Sequence, residues 1–236
     1  MKEALPSPVR VKISMAEGQA VSGLLDIPPK PQAGYVFAHG AGAGMNHPFM
    51  AAIASGLAGR GIATLRFQFP YMEQGSKRPD SPKVAQAAIR AAVHEAAQRL
   101  PGLPLFAGGK SFGGRMTTQA QGAAPLPGVQ GIVLVGFPLH AAGKPSTERA
   151  DHLAQVALPM LFLQGTRDTL ADLDLIRATM AKLESRATLH VVDGADHSFH
   201  VLARSGRTDE EVRDELLDTM VDWMKGHPPT GTRPRR

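Results

Sequence analysis

The sequence predicts an α/β fold: a mostly parallel sheet with helices on both faces and an antiparallel hairpin at its N-terminal edge. Three observations carry this. Short apolar runs of strand length alternate with helical stripes from Gly34 onward. The opening segment instead alternates apolar and polar residues, as strands exposed on one face do. Near the middle, a glycine-flanked serine joins an apolar run directly to a helical pattern.

In chain order, Val9–Ser14 and Ala20–Asp26 alternate around Glu17-Gly18 and read as the hairpin. Pro28, Pro29 and Pro31 end strand structure. Gly34–Ala38 is the first run apolar enough for a strand buried on both faces, and it leads into His39-Gly40-Ala41-Gly42-Ala43-Gly44. Pro48 suits a first helical turn, and Phe49, Ile53 and Leu57 mark that helix's inward side. Ile62–Arg66 is the next buried strand, and Phe67–Asp80 reads as a long loop. Ser81-Pro82 then opens a helix with Ile89, Val93, Ala96 and Leu100 facing inward. Strands follow at Leu105–Gly108, Gly131–Val135, Met160–Leu163 and Thr188–Val192. A helix carries the stripe Leu173, Ile176, Met180 and Leu183. The last helix has a capping box at Thr208 and Glu211 and buries Val212, Leu216, Met220 and Trp223. The segment after Val135 is too short for a large lid, so an open site is expected. One domain over residues 1–230 accounts for the pattern, with a disordered basic tail at 231–236.

Composition narrows the function classes. The 236 residues include no cysteine, which excludes disulfides, a thiolate nucleophile and cysteine-ligated metal. The start lacks the apolar core of a signal peptide and no run is long enough to span a membrane, so the expectation is a cytoplasmic protein without a membrane partner. The net charge of +5 is scattered or in the tail, and aromatics are 5% of the chain. Neither a stacking platform nor a basic helix for nucleic acid is present. The sequence does not specify an oligomeric state.

Gly109-Lys110-Ser111-Phe112-Gly113 fits the nucleophile-elbow pattern, in which serine occupies a strained strand-to-helix turn. In parallel α/β sheets, reactive groups collect beyond the carboxyl ends of strands. Asp168 follows the strand ending near Leu163, and His197 follows the one ending near Val192. Serine, acid, histidine is the chain order of the α/β-hydrolases. From His39-Gly40 through Asp168 to His197 the sequence resembles a small, nearly lidless α/β-hydrolase of the dienelactone-hydrolase-like kind, with Ser111 where dienelactone hydrolases carry cysteine. Gly109–Arg115 and Gly136-Phe137-Pro138-Leu139-His140 are similar to a branch that includes a testis-expressed protein and a chromatin acetyltransferase complex subunit.

The resemblance implies a serine hydrolase acting on a small-molecule carboxylic ester, thioester or lactone through an acyl-enzyme, without a cofactor. Ser111 would be the nucleophile, His197 the base and Asp168 its orienting acid. The backbone N–H of Phe112 and one from the loop after His39-Gly40, assigned to Ala41 with Gly42 as alternative, would form the oxyanion hole. The alternative is a catalytically silent scaffold that keeps the fold. Arg66, Phe137 and His140 are candidate substrate-binding residues, and Arg66 with Lys144 would favour an acidic substrate.

Rival readings are weaker. A P-loop needs glycine where Pro104 stands, and a dinucleotide fingerprint needs glycine at Met45. Asp193, Asp196, His197 and His200 suggest a turn that presents His197 rather than a metal site. Asp196 and Asp172 are rival acids, the first too close to His197 in sequence and the second placed to start a helix. His200 is the rival base, and His39 is read as structural.

Overall fold

A computed structural model gives the structure of residues 6–227. The expected tail at 231–236 lies outside the described residues. Strands β1 (Val9–Ser14) and β2 (Ala20–Asp26) form the antiparallel hairpin. Then come β3 (Ala33–Ala38), α1 (Pro48–Ala58), β4 (Ile62–Phe67), α2 (Pro70–Glu73) and α3 (Pro82–Arg99). The elbow region is β5 (Leu105–Lys110) followed by α4 (Phe112–Ala123). The chain ends with β6 (Val129–Val135), β7 (Met160–Gly165), α5 (Leu173–Leu183), β8 (Ala187–Val192) and α6 (Asp209–Lys225). Among the described residues, no helix is long and apolar enough to cross a membrane.

The eight strands form one sheet in the order β1-β2-β4-β3-β5-β6-β7-β8. β2 pairs antiparallel with β4, and every pairing from β4 through β8 is parallel. Continuous apolar strands need cover on both faces, and side-chain alternation divides the core accordingly. Tyr35, Phe37, Phe106, Val133 and Leu161 pack with Ile53 and Leu57 of α1 and Leu216, Met220 and Trp223 of α6. Val36, Ala38, Ala107, Leu134 and Phe162 face the other way, against Ile89 and Val93 of α3, Met116 of α4 and Ile176 of α5.

The strand order changes direction around β3, because β4 lies on one side of it and β5 on the other. Loops leaving the carboxyl ends of β3 and β5 therefore diverge to open a crevice between them. This switch point brings His39-Gly40 and Ser111 together, although more than seventy residues separate them.

Local differences from the sequence expectation have simple causes. The loop at 67–80 contains α2, a single turn too short to show periodicity. Ser81 is the N-cap of α3 but its side chain makes no capping bond. The Thr208–Glu211 capping box is present. β8 is an edge strand and mostly half-buried, with His190 bonded to Glu215 of α6.

Arg66 requires correction. β4 extends one residue further than expected, through Phe67, so Arg66 lies inside the strand and not at a substrate-facing end. Its side chain is 3% exposed, and its Nη2 and Nε donate to Asp26 Oδ2 at 3.0 and 3.3 Å. Nη1 donates to the Met45 carbonyl at 2.9 Å. Burial raises the Asp26 carboxyl above its ordinary value, with Arg66 pulling the other way. Removing one member of such a pair leaves a buried charge uncompensated. Asp26→Ala should therefore lower unfolding free energy by about 3–5 kcal/mol in urea denaturation; a loss below about 1 kcal/mol, the range of exposed pairs, would contradict a structural role.

Candidate active site

Ser111 stands between β5 and α4 at φ 51° and ψ −116°, a conformation costly for a residue with a Cβ. Close backbone packing fixes it there. A Cβ on Gly109 would fall 2.5 Å from the Ala38 carbonyl oxygen and 2.7 Å from Gly113 C. One on Gly113 would fall 2.5 Å from the same oxygen and 2.6 Å from that of His39. Both glycines are thus required by the approach of the elbow to the end of β3. Ser111 N–H donates to the Val135 carbonyl of β6 at 3.1 Å, which holds the turn from the other side.

Two further strand ends bring their side chains to this serine. Ser111 Oγ and His197 Nε2 are 2.9 Å apart, and His197 Nδ1 and Asp168 Oδ2 are 2.7 Å apart. The Asp168 carboxylate is fully buried and also accepts from Leu170 N–H at 2.8 Å and from the Gln164 side-chain amide. Asp196 shapes the turn around His197, its Oδ1 accepting from the N–H groups of Ser198 and His200. Lys110, passed over once the P-loop reading failed, donates from Nζ to the His197 carbonyl at 2.6 Å. Its ammonium is buried, which pushes its pKa down to about 8 against the pull of Asp168 and Asp196. Only its place beside Ser111 hinted at this tether.

The loop after β3 is equally constrained. His39 Nδ1 donates to the Gly40 carbonyl at 2.7 Å while Nε2 accepts from Phe69 N–H at 3.1 Å, an arrangement that needs the neutral ring. Burial pushes its pKa down to about 4. Tyr71 Oη donates to the Ala41 carbonyl at 2.8 Å. A Cβ on Gly40 would lie 3.8 Å from that of Ser111, so this loop packs directly on the serine. Phe112 is the first residue of α4, where a backbone N–H has no acceptor within the helix.

Two cavities flank Ser111, and Ala41 also borders both. The larger, about 540 Å³, runs past Phe49, Met50 and His197 toward His200 and Asp209. The smaller, about 410 Å³, runs past Phe112, Asp80, Pro138 and Leu170 to Arg115 and Arg149. The sequence reading assigned Phe49 to helix packing and gave Arg115 and Arg149 no role.

Three expected substrate-binding residues lie elsewhere. Besides the ion-paired Arg66, Phe137 is 1% exposed and packs edge-on against Phe162 in the core. The chain turns at Gly136, φ 67°, before reaching it. His140 is buried as a strut: Nδ1 donates to the Ala141 carbonyl and Nε2 accepts from Asp172 N–H at 2.9 Å. Lys144 is exposed, on a turn bridged to Ala141. Asp172 caps α5, and His200 pairs with Asp209.

A family model described as "Alpha/beta hydrolase domain" matches residues 31–225. The chain belongs to the α/β-hydrolase family. The chain is 31% identical over 215 residues to Mycobacterium tuberculosis proteins named "Putative phosphoribosyl transferase", covering 89% of its own length. It spans only about half of those relatives, 46% of their length. Among solved structures it is similar to dienelactone hydrolase from Anabaena variabilis, with TM-score 0.75 and 20% identity over 96% of this chain and 100% of that one. It is also similar to a lidless a/b serine hydrolase from Xanthomonas campestris, with TM-score 0.72 and 22% identity over 92% and 95%. Both likenesses are of fold. In this chain the segment between β6 and β7 carries a 3₁₀ stretch at Glu148–Gln155.

Two expectations follow. Gly113→Ala should cost about 1–3 kcal/mol through overpacking, read as a fall in Tm of roughly 3–10 °C; an unchanged Tm would contradict the close approach. His39 is held near 4, below its ordinary 6.5, so between those values the unfolded chain binds the extra proton. Unfolding free energy should fall as pH drops from 6.5 to 4, with His39 and the likewise depressed His152 both contributing. His39→Gln should flatten that slope, and an identical pH profile would contradict the buried neutral ring.

Proposed function

We propose that the protein is a serine hydrolase that cleaves a carboxylic ester, thioester or lactone through an acyl-enzyme. The observation that carries this reading is the continuous hydrogen-bonded chain from Ser111 through His197 to Asp168, opening onto two cavities. Ser111 Oγ attacks the substrate carbonyl carbon while its proton passes to His197 Nε2. The C=O pair moves onto oxygen, giving a tetrahedral oxyanion. N–H groups of Phe112 and Ala41 are the proposed donors to it. Collapse restores the carbonyl, breaks the bond to the alcohol or thiol, and delivers the proton from His197 to that leaving group. Water then attacks the acyl-serine, giving its proton to His197, and the acid departs as Ser111 regains a proton. Asp168 holds the imidazole with Nδ1–H toward itself and stabilises the imidazolium. Its own bonds from Leu170 and Gln164 keep that carboxylate in place.

Ser111→Ala should lower ester turnover by at least ~10³-fold, following the behaviour of serine triads, with an unchanged circular dichroism spectrum and Tm. A fluorophosphonate probe should label Ser111 in the wild type and not in the variant. A folded wild type that neither reacts with the probe nor hydrolyses activated esters would establish the silent-scaffold alternative instead.

A further inference from the structure

The guanidinium of Arg115 is anomalous among the arginines. Arg60 pairs with Asp214 and Asp218, Arg66 with Asp26, and Arg207 with Glu215. Arg90 and Arg186 donate to backbone carbonyls. Among the described residues, Arg115 has neither an ion pair nor a side-chain hydrogen bond, and its Nε is buried without a partner. A buried donor left unmatched in a folded protein calls for a reason. Arg149, the second cation of the same groove, donates from Nη1 to the His140 carbonyl at 3.0 Å and has no carboxylate partner among the described residues. Burial and the charge of Arg149 both disfavour the charged form of Arg115. After burial, the Arg115 charge also helps to keep the neighbouring His152 ring neutral.

These two cations line the groove that Ser111, Phe112 and Ala41 also line. The groove holds one carboxylate, Asp80, whose Oδ2 accepts from Tyr71 N–H at 3.0 Å and makes no ion pair with either arginine. The opposite cavity has no arginine: it presents Phe49 and Met50 beside Lys110 and the His200–Asp209 pair. Both arginines thus lie on one side of the serine. Resting on the hydrolase reading, we infer that the Arg115–Arg149 groove is a subsite for a carboxylate of the substrate, so that preferred substrates are esters or thioesters carrying an anionic carboxylate near the scissile carbonyl. A planar carboxylate matches the fork of a guanidinium, supplies the acceptors Arg115 lacks and offsets the repulsion between the two cations. The acidic-substrate expectation drawn from Arg66 and Lys144 is thereby moved to a different pair.

Two measurements separate this inference from the hydrolase reading itself. The first compares kcat/KM for 4-nitrophenyl hemiglutarate, which is anionic, with that for neutral 4-nitrophenyl valerate. The wild type should favour the anionic ester at low salt. Arg115→Met and Arg149→Met should each lower its kcat/KM at least ~10-fold more than that of the neutral ester, in line with loss of a charge-assisted bond. Equal selectivity, or equal losses on both esters, would overturn the subsite. The second needs no turnover: glutarate binding to Ser111→Ala protein is measured by calorimetry against butyramide. Glutarate binding that is weakened in Ser111→Ala/Arg115→Met supports the subsite even if the ester assay is silent. Glutarate that does not bind, or binds equally to both variants, counts against the subsite whatever the enzyme hydrolyses.

Discussion

The backbone contact between the Ser111 turn and the end of β3 is the constraint on which the remainder of the site depends. Gly109 and Gly113 lie so close to the Ala38 and His39 carbonyls that neither position has room for a side chain. This packing holds Ser111 at a positive φ, which an unrestrained serine would leave. It also makes the loop after β3 and the start of α4 one rigid unit. The two proposed oxyanion donors belong to those two segments, so their spacing is set by the same contact. The geometry of the site is maintained by backbone packing, which tolerates less adjustment than contacts between long side chains.

The other strand ends extend that rigidity outward. His197 is held by Asp168 and Ser111 through its ring, and by Lys110 through its carbonyl. Asp168 is in turn held by Leu170 and Gln164. Lys110 adjoins Ser111 in sequence, so the residue before the serine anchors the loop that carries its histidine. The β3 loop is fixed by neutral His39 and by Tyr71, and farther along by Arg66 at the Met45 carbonyl.

Sheet, helices and elbow were legible because each has a local signature. Buried strands such as Ile132–Val135 are uninterrupted apolar runs, and α6 carries both its cap and its apolar stripe. The spatial meeting of Ser111, Asp168 and His197 was legible as an expectation because chain order and strand ends suffice to place them. Pocket walls were not. Arg66 and Arg115 are the same residue type, each close to a strand end, yet the first meets Asp26 across the β2–β4 pairing and, among the described residues, the second meets no carboxylate. That distinction depends on register between strands forty residues apart, which periodicity does not encode. Phe137 and His140 were misassigned for a related reason: a positive-φ turn at Gly136 precedes them, and both side chains end buried rather than at the cavity. The one-turn α2 left no periodic trace, although it supplies Tyr71.

The most direct test of the account is a crystal structure of the protein after reaction with a fluorophosphonate. The account predicts a phosphonyl group bonded to Ser111 Oγ, its free oxygen within about 3 Å of both the Phe112 and Ala41 nitrogens, and Ser111 still at positive φ. An adduct whose oxygen points to solvent, or a serine relaxed to negative φ with His197 turned away, would contradict it.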